Sequence, residues 1–218
     1  MSYAVKTLPT GDTATTGTVI PPVLGAVDIW DGIWAAAPHH GQTDRFLKNH
    51  GDMPGLKPWE TWTAVQPDLS TGDPHITFGP AQWMVAQATG QSGDFTLLIV
   101  LDVRSGSRDT VRFPGGLASN DSGKWVLWIG SAVSTEVSSL GKAVHVFVRR
   151  GGTWEVWRNG VKAWSAASAV IADQNIGLWP RSTTTADQDF YQARYAARAL
   201  TDEQIVAASA DARTLHGI

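Results

Sequence analysis

Two tight-turn signals in residues 142–164 constrain the fold more than any other feature of the chain. The segment reads KAVHVFVRRGGTWEVWRNGVKAW, in which three alternating runs are separated by Gly151-Gly152 and by Asn159-Gly160. Asn-Gly between alternating runs predicts a β-hairpin, because a type I′ turn needs positive φ at both central residues. We therefore predict an antiparallel meander with strands at 143–149, 153–158 and 161–164.

Residues 93–103 read GDFTLLIVLDV and are apolar on both alternating faces. Such a strand is typical of the middle of a sheet that is covered on both sides. Near the C-terminus, a strand is predicted to end at Tyr195 and a short helix to follow. Thr201 is placed to cap that helix, with Asp202 and Glu203 in a first turn that favours carboxylates.

The order of these pieces resembles the concanavalin A-like (laminin-G-like) jelly-roll superfamily over roughly residues 75–214. The motifs that carry the likeness are HVFVR at 145–149, WEVWRNG at 154–160, IGL at 176–178, FYQARY at 190–195 and ALTDEQI at 199–205. The resemblance implies an all-β jelly-roll sandwich of two antiparallel sheets with a short C-terminal helix. We assign 75–218 to the sandwich and 1–74, rich in Gly, Pro, Thr and Asp, to an N-terminal arm or attachment region.

Composition argues against several classes of partner. Charged residues make up 17% and the net charge is -3, which gives no basis for binding nucleic acid or a membrane surface by charge. Cysteine is absent, so neither disulfides nor thiolate metal sites stabilise the fold. The N-terminal residues lack the pattern of a secretory signal, and no apolar run reaches the length of a membrane span. We expect a soluble chain that is made in the cytoplasm and leaves the cell by lysis, by a signal-less route or not at all, and we favour a location in a virion or outside the cell after lysis.

Eleven tryptophans call for an explanation of their own. Large aromatic side chains fill cores and subunit contacts, which is where we expect most of them, but they also stack on sugar rings. Strand parity puts Trp154 and Trp157 on opposite faces of one strand, and Trp125 and Trp128 on opposite faces of another. The predicted ligand-binding residues are Trp128, Trp157 and Trp179 as stacking platforms, with His145 and Arg181 as polar contacts.

Catalysis is not expected. Glycoside hydrolases of this superfamily carry an ExDxE motif that supplies two carboxylates from one strand face, and this chain has none. Glu155 in WEVW is interpreted as a solvated strand residue that pairs with Arg149 or Lys162, and Glu60 and Glu136 are equally isolated. The sequence also lacks a G-x-S-x-G motif.

Metal binding is left open, and no cofactor is predicted apart from a candidate calcium ion. His39, His40 and Asp44 have the chemistry of ligands but not the spacing of a zinc site, which favours plain surface residues. Relatives of this kind often bind calcium at the rim of the sandwich through oxygen ligands. The acidic residues at predicted strand ends and loops are Asp102, Asp109, Asp121, Asp187 and Asp189.

Two functions from different classes fit these observations. The first is a non-catalytic, lectin-like component of a phage or phage-derived particle that contacts a host surface polysaccharide. In that setting the N-terminal region binds other virion proteins and the chain forms a homo-oligomer. The alternative is a structural spike, fibre or decoration protein whose sandwich mediates protein assembly, with the exposed tryptophans at protein interfaces.

Overall fold

The computed structural model describes residues 29–35, 57–58, 73, 75–78, 84–87, 93–104, 109–167, 175–180 and 188–218. Within these ranges it contains fourteen strands and one helix. The first seven strands are β1 (Gly32–Ala35), β2 (Lys57–Pro58), β3 (Ile76–Phe78), β4 (Met84–Gln87), β5 (Phe95–Val103), β6 (Asp109–Phe113) and β7 (Gly116–Asp121). The remaining elements are β8 (Lys124–Trp128), β9 (Ala132–Ser138), β10 (Gly141–Arg150), β11 (Thr153–Arg158), β12 (Val161–Ala167), β13 (Asn175–Pro180), β14 (Gln188–Ala196) and α1 (Asp202–His216).

The strands form two antiparallel sheets. Sheet I has the order β1-β14-β5-β10-β11-β12, with β3 also paired to β14. Sheet II has the order β2-β4-β13-β6-β7-β8-β9. In sheet I, β10, β11 and β12 are consecutive strands, whereas β5 lies between two strands that are distant from it in sequence, β14 and β10.

Alternation along β5 explains why the molecule has three layers. Phe95, Leu97 and Ile99 point into the core between the two sheets, where they pack with residues of sheet II such as Phe113 and Trp125. Leu98 and Val100 point the opposite way, into a second apolar layer beneath α1 that includes Ile205 and Ala208. Helix α1 therefore covers the outer face of sheet I. The prediction that β5 is central and covered on both sides is confirmed.

Helix α1 is fixed at its start by the predicted cap. Thr201 accepts a hydrogen bond from the Gln204 backbone N–H, and the Gln204 side chain accepts one from the Thr201 backbone N–H, which completes a capping box. Along the helix, Asp211 pairs with Arg194 of β14 at 2.7 Å, and the Arg194 side chain is fully buried. A charge hidden beneath a helix needs such a partner to offset its lost hydration.

The end of α1 is attached to the rim of sheet I. Asp73 accepts hydrogen bonds from His216 Nδ1 at 2.8 Å and from Lys142 Nζ at 2.5 Å. Burial by itself raises the pKa of Asp73, but these hydrogen bonds and charges outweigh it and hold that pKa below its ordinary value. Lys142 also donates to the His216 carbonyl oxygen at 2.6 Å, so one lysine joins β10, Asp73 and the helix end.

The all-β sandwich with a closing helix is confirmed, as is the predicted meander. Asn159 and Gly160 have φ of 52° and 84°, the positive values that a type I′ turn requires. The strand predicted at 161–164 extends to Ala167.

The predicted boundary at residue 75 needs correction, because the sheets begin before it. Gly32–Ala35 pairs with β14, and Ile33 and Trp34 are fully buried. Lys57–Pro58 pairs with β4. Apolar side chains in a Gly- and Pro-rich region are thus used as sheet-edge and core residues. Residues 29–31 and Asp73 of the predicted arm are also described, and the rest of it lies outside the described residues. No helix in the described ranges is long and apolar enough to cross a membrane.

Candidate functional site

The outer face of sheet II carries the exposed side chains of β7, β8 and β9. Directly opposite residues of antiparallel strands share a face. Leu127 points into the core, so its neighbour Trp128 points outward. The register then places Leu117, Trp128 and Ala132 in one row of the outer face, and Ser119, Val126 and Ser134 in the next. Trp128 is 50% exposed, the largest exposed ring in the described part of the chain.

The Trp128 indole is held in one orientation. Its Nε1–H donates to Ser119 Oγ of the neighbouring strand at 2.9 Å. On the backbone side, a side chain at Gly116 would collide with the Trp128 carbonyl oxygen and come within 3.0 Å of Ile129 Cγ2. Glycine at 116 therefore lets β7 approach the end of β8 closely. A fixed, half-exposed indole can stack on a flat apolar ligand without first losing side-chain freedom.

A bulge in β9 presents a second functional group on the same outer face, towards the Lys124 end of β8. Lys124 lies opposite Ser138 and Val126 lies opposite Ser134. A step of two residues along β8 thus corresponds to a step of four residues along β9, which means that β9 carries extra residues here. Thr135 occupies the irregularity: its Oγ1 donates to the Trp125 carbonyl at 2.7 Å and accepts from the Val137 N–H at 3.2 Å. Bulges of this kind redirect side chains and are common beside functional sites.

Glu136 lies at the centre of the bulge with φ of 58°, a left-handed conformation that is unfavourable for residues other than glycine. Its carboxylate pairs with Lys124 Nζ and accepts from Ser134 Oγ at 3.3 Å. The hydrogen bond from Lys124 and its charge hold the pKa of Glu136 below its ordinary value. The Glu136 side chain is 72% exposed, so an ionised carboxylate faces solvent at this point.

We call Ser119, Lys124, Trp128, Ser134 and Glu136 the Trp128 face. Lys124 and Trp128 are four residues apart on β8, roughly 13 Å at 3.3 Å per residue. That length accommodates more than one sugar ring. An apolar ring face at one end and hydrogen-bonding groups at the other suit a ligand with both an apolar surface and hydroxyl groups.

Trp157 is buried, whereas a stacking platform for a ligand has to be exposed. Trp157 does lie on the face opposite Trp154, as strand parity predicted, but that face is the one beneath α1, and the ring is 4% exposed. Its Nε1–H donates to Glu155 Oε2 at 2.9 Å, and Lys162 Nζ lies 4.9 Å from the ring centroid. Groups of the protein itself thus occupy both the N–H edge and a face of the Trp157 ring.

Glu155 is also corrected: it is buried rather than solvated. The predicted partner Lys162 is confirmed at 3.3 Å, and the second cation is Arg150 at 3.8 Å. Arg149, the other partner considered, pairs with Asp94 at 3.4 Å. Burial of Glu155 follows from the layer beneath α1, because the same helix supplies Asp202, which pairs with Lys162 at 3.2 Å.

His145 lies in the core between the sheets and is fully buried, so in this structure it cannot touch a ligand at the surface. Trp125 Nε1 can only donate, so the 3.1 Å hydrogen bond makes His145 Nδ1 the acceptor and puts the proton on Nε2. Burial, with a smaller contribution from the charge of Arg158, lowers the pKa of His145 to about 3. The imidazole is therefore a neutral link between the two sheets.

Trp179 and Arg181 stay predictions. The backbone of Trp179 lies in β13 opposite Thr110 of β6, which puts it in sheet II. The side chain of Trp179 and the whole of Arg181 lie outside what the structure describes.

The predicted calcium site and the predicted ligands among the loop histidines also stay predictions. Among the described residues no three His, Asp or Glu side chains are grouped to hold a metal ion. Asp189 is engaged by Thr77 Oγ1 at 2.7 Å and by Arg104, and Asp121 Oδ1 accepts from Ser122 at 3.2 Å. The loop residues His39, His40, Asp44 and Asp187 lie outside the described ranges, and calcium binding stays a prediction.

Sequence reasoning missed Ser119 and set Glu136 aside as isolated. Ser119 could have been found from the alternation of β7 and the turn at residues 120–124, which fixes its register opposite β8. Glu136 had no such signal, because a bulge that depends on Thr135 cannot be read from spacing alone.

No protein-family model matches this chain, and no curated protein matches it in sequence. Solved structures do match. The receptor-binding domain of botulinum neurotoxin C/D mosaic serotype has a TM-score of 0.64 at 10% identity, with 84% of this chain and 51% of that chain covered. The botulinum neurotoxin serotype D binding domain in complex with N-acetylneuraminic acid has a TM-score of 0.63 at 9% identity, with the same coverage.

A mutant of Trypanosoma rangeli sialidase that displays trans-sialidase activity matches with a TM-score of 0.63 at 13% identity, covering 91% of this chain and 35% of that one. The chain thus spans about half the length of the toxin domains and about a third of the sialidase chain. At these identities the similarity establishes a shared β-sandwich fold, and function must be argued from the site.

Proposed function

We propose that this chain is a non-catalytic carbohydrate-binding domain that contacts a cell-surface polysaccharide through the Trp128 face. The observation that carries the proposal is the Trp128 indole, half exposed on an outer sheet face and oriented by Ser119. Tryptophan with a satisfied N–H and a free ring surface is suited to stacking on the apolar face of a sugar. Ser134 and Glu136 supply hydrogen-bonding groups at the same surface.

The fold neighbours support binding as the role of such a sandwich. Two of them are receptor-binding or ligand-binding domains, and one of these was solved with N-acetylneuraminic acid. We place this chain, as a finer proposal, in the concanavalin A-like group that the sequence motifs resemble.

A non-catalytic role is supported by the state of the carboxylates. Glu155, from the strand motif nearest to a glycosidase sequence, is buried and engaged by Trp157 and Lys162. Glu136 is tied to Lys124 on a solvated surface. The pKa of Glu136 is lowered, whereas a general acid for glycoside hydrolysis needs a raised pKa.

We further propose the setting suggested by the sequence: a homo-oligomeric component of a phage or phage-derived particle, attached through its N-terminal region. The lack of cysteine suits a protein assembled in a reducing cytoplasm. Mass spectrometry of particles purified after lysis would detect the chain if this setting is right, and its absence from them would refute it.

The binding proposal is tested with an array of bacterial capsular and lipopolysaccharide repeats, using wild type, Trp128→Ala and a matched control. Val161→Ala is the control, because Val161 is an exposed apolar residue on sheet I, 67% exposed. We expect Trp128→Ala to lose at least about tenfold in affinity, as truncation of a tryptophan that anchors a ligand does, and Val161→Ala to bind like wild type.

Equal binding by wild type and Trp128→Ala would show that the site is wrong. Silence across the array, together with a stable oligomer that Trp128→Ala dissociates, would favour the alternative of a structural assembly protein.

A further inference from the structure

We infer that the end of the Trp128 face at Ser134 and Glu136 takes an uncharged, hydroxyl-rich sugar ring and excludes an acidic one, with Glu136 as the specificity-determining residue. This inference rests on the proposed glycan binding and specifies its ligand. It depends on three properties of Glu136: its backbone, its charged surroundings and its free acceptor capacity.

The backbone is the first argument. A left-handed conformation costs a side-chain-bearing residue free energy that glycine avoids, and residues held in such conformations cluster at ligand sites. The bulge that imposes φ of 58° on Glu136 is itself fixed by Thr135, whose hydroxyl bonds both Trp125 and Val137. The sequence thus places a glutamate, rather than glycine or asparagine, at the one position of β9 where the backbone disfavours it.

The second argument is charge. Lys124 is the cation next to Glu136, and its ammonium is already paired with that carboxylate. Asp121, a second exposed carboxylate, lies directly opposite Lys124 in the register of β7 and β8. Among the described residues, two carboxylates against one ammonium leave this end of the face negative, so the carboxylate of an acidic sugar would meet net repulsion.

Arg112 is a further cation on the outer face of sheet II. It lies on β6, opposite Leu117, two strands from Trp128 on the side away from β9. Two strand spacings put Arg112 roughly 10 Å from Trp128. Glu136 is on the other side of Trp128, on β9, and is therefore farther away. It is half-buried and does not neutralise the end of the face at Glu136.

The third argument is hydrogen-bonding capacity. An ionised carboxylate only accepts, and its two oxygens offer about four lone-pair positions. Ser134 donates to Oε1 and Lys124 donates to Oε2, one donor on each oxygen. The remaining positions face solvent, and adjacent sugar hydroxyls can donate to both oxygens together. A sugar carboxylate offers acceptors where donors are required.

The experiment measures affinity for matched polysaccharide pairs: neutral hexose polymers and the same polymers oxidised to carboxylates at C6. The variants are Glu136→Gln, which removes the charge and keeps the shape, Trp128→Ala, and Ser138→Ala as a control on the same strand and face. We expect wild type to bind a neutral polymer at least about tenfold more tightly than its oxidised form, and Ser138→Ala to behave the same way. Glu136→Gln should weaken binding of the neutral polymer and reduce the preference severalfold.

The outcomes separate this inference from the proposed function. Tighter binding of the oxidised form, abolished by Trp128→Ala, would overturn the inference and leave glycan binding at the Trp128 face intact. An unchanged preference in Glu136→Gln would also overturn it, since another residue would then select the ligand. No binding of either polymer in any pair, together with a silent array, would overturn both.

Discussion

The two outer faces of the sandwich carry the same set of residue types in different surroundings. The described residues of each face include a tryptophan, a glutamate and a lysine: Trp157, Glu155 and Lys162 on sheet I, and Trp128, Glu136 and Lys124 on sheet II. On sheet I the tryptophan is 4% exposed and donates to the glutamate. On sheet II the tryptophan is 50% exposed and donates to a serine, which leaves the glutamate free to face solvent.

The difference is caused by helix α1 rather than by the strands. Ile205 and Ala208 of the helix lie in the same apolar layer as Trp157, and Asp202 at its start pairs with Lys162. The trio on sheet I is therefore part of the helix–sheet contact. The same residue types therefore stabilise the fold when a helix packs over them and can bind a ligand when the sheet face is exposed.

The largest expected contrast is between truncations of the two tryptophans. Trp157→Ala removes a ring buried beneath α1 and should lower the free energy of unfolding by about 3–5 kcal/mol. Trp128→Ala removes a half-exposed ring and should lower it by less than about 1 kcal/mol. Urea denaturation of both variants measures the difference, and similar losses would mean that the two faces are not covered and exposed as described.

Sequence alone gave most of the architecture. Alternation in β5 predicted a central strand with two apolar faces, and Asn159-Gly160 predicted the hairpin between β11 and β12. Parity also separated Trp125 from Trp128 and Trp154 from Trp157 correctly. These features depend on neighbouring residues, which is why the sequence was sufficient to reveal them.

The choice between Trp128 and Trp157 could not be made that way. Parity shows which residues share a face but not which face a helix covers, because that depends on residues far apart in the chain. His145 shows the same limit: its strand position was correct, but the partner that buries it, Trp125, comes from the other sheet. The position of Glu136 depends on a bulge that no sequence pattern predicted.

The second prediction tests how the covered face is kept covered. Asp211→Ala leaves the Arg194 guanidinium buried in sheet I without its carboxylate, and removing one partner of a buried pair costs about 3 kcal/mol or more. Asp94→Ala is the control, because the Asp94 side chain is exposed: its pair with Arg149 contributes about 1 kcal/mol at most. The hydrogen bond that Asp94 accepts from the Gly151 N–H adds about 1 kcal/mol. Urea denaturation measures stability, and hydrogen exchange in α1 reports whether the helix has loosened.

If Asp211→Ala destabilised the protein no more than Asp94→Ala, the ion pair beneath α1 would not be what secures the helix. Apolar contacts of Ile205 and Ala208 would then account for the covered face by themselves.

The smallest expected effect comes from acid, which acts on the core that both faces share. The pKa of His145 is lowered to about 3 in the folded protein, against an ordinary value of 6.5. Between these values the unfolded chain binds a proton that the folded chain does not, so stability falls as the pH drops below 6.5. The loss is at most about 1.4 kcal/mol per pH unit.

His145→Gln isolates this contribution, since its amide oxygen can accept from Trp125 but does not titrate. Urea denaturation at pH 7.5 and pH 4.5 should show a smaller acid loss in His145→Gln than in wild type. Protonation of His145 would put a hydrogen on Nδ1 and break the Trp125 hydrogen bond that joins the sheets. Both faces should therefore lose stability together, and an equal acid loss in wild type and His145→Gln would assign the acid sensitivity to other groups.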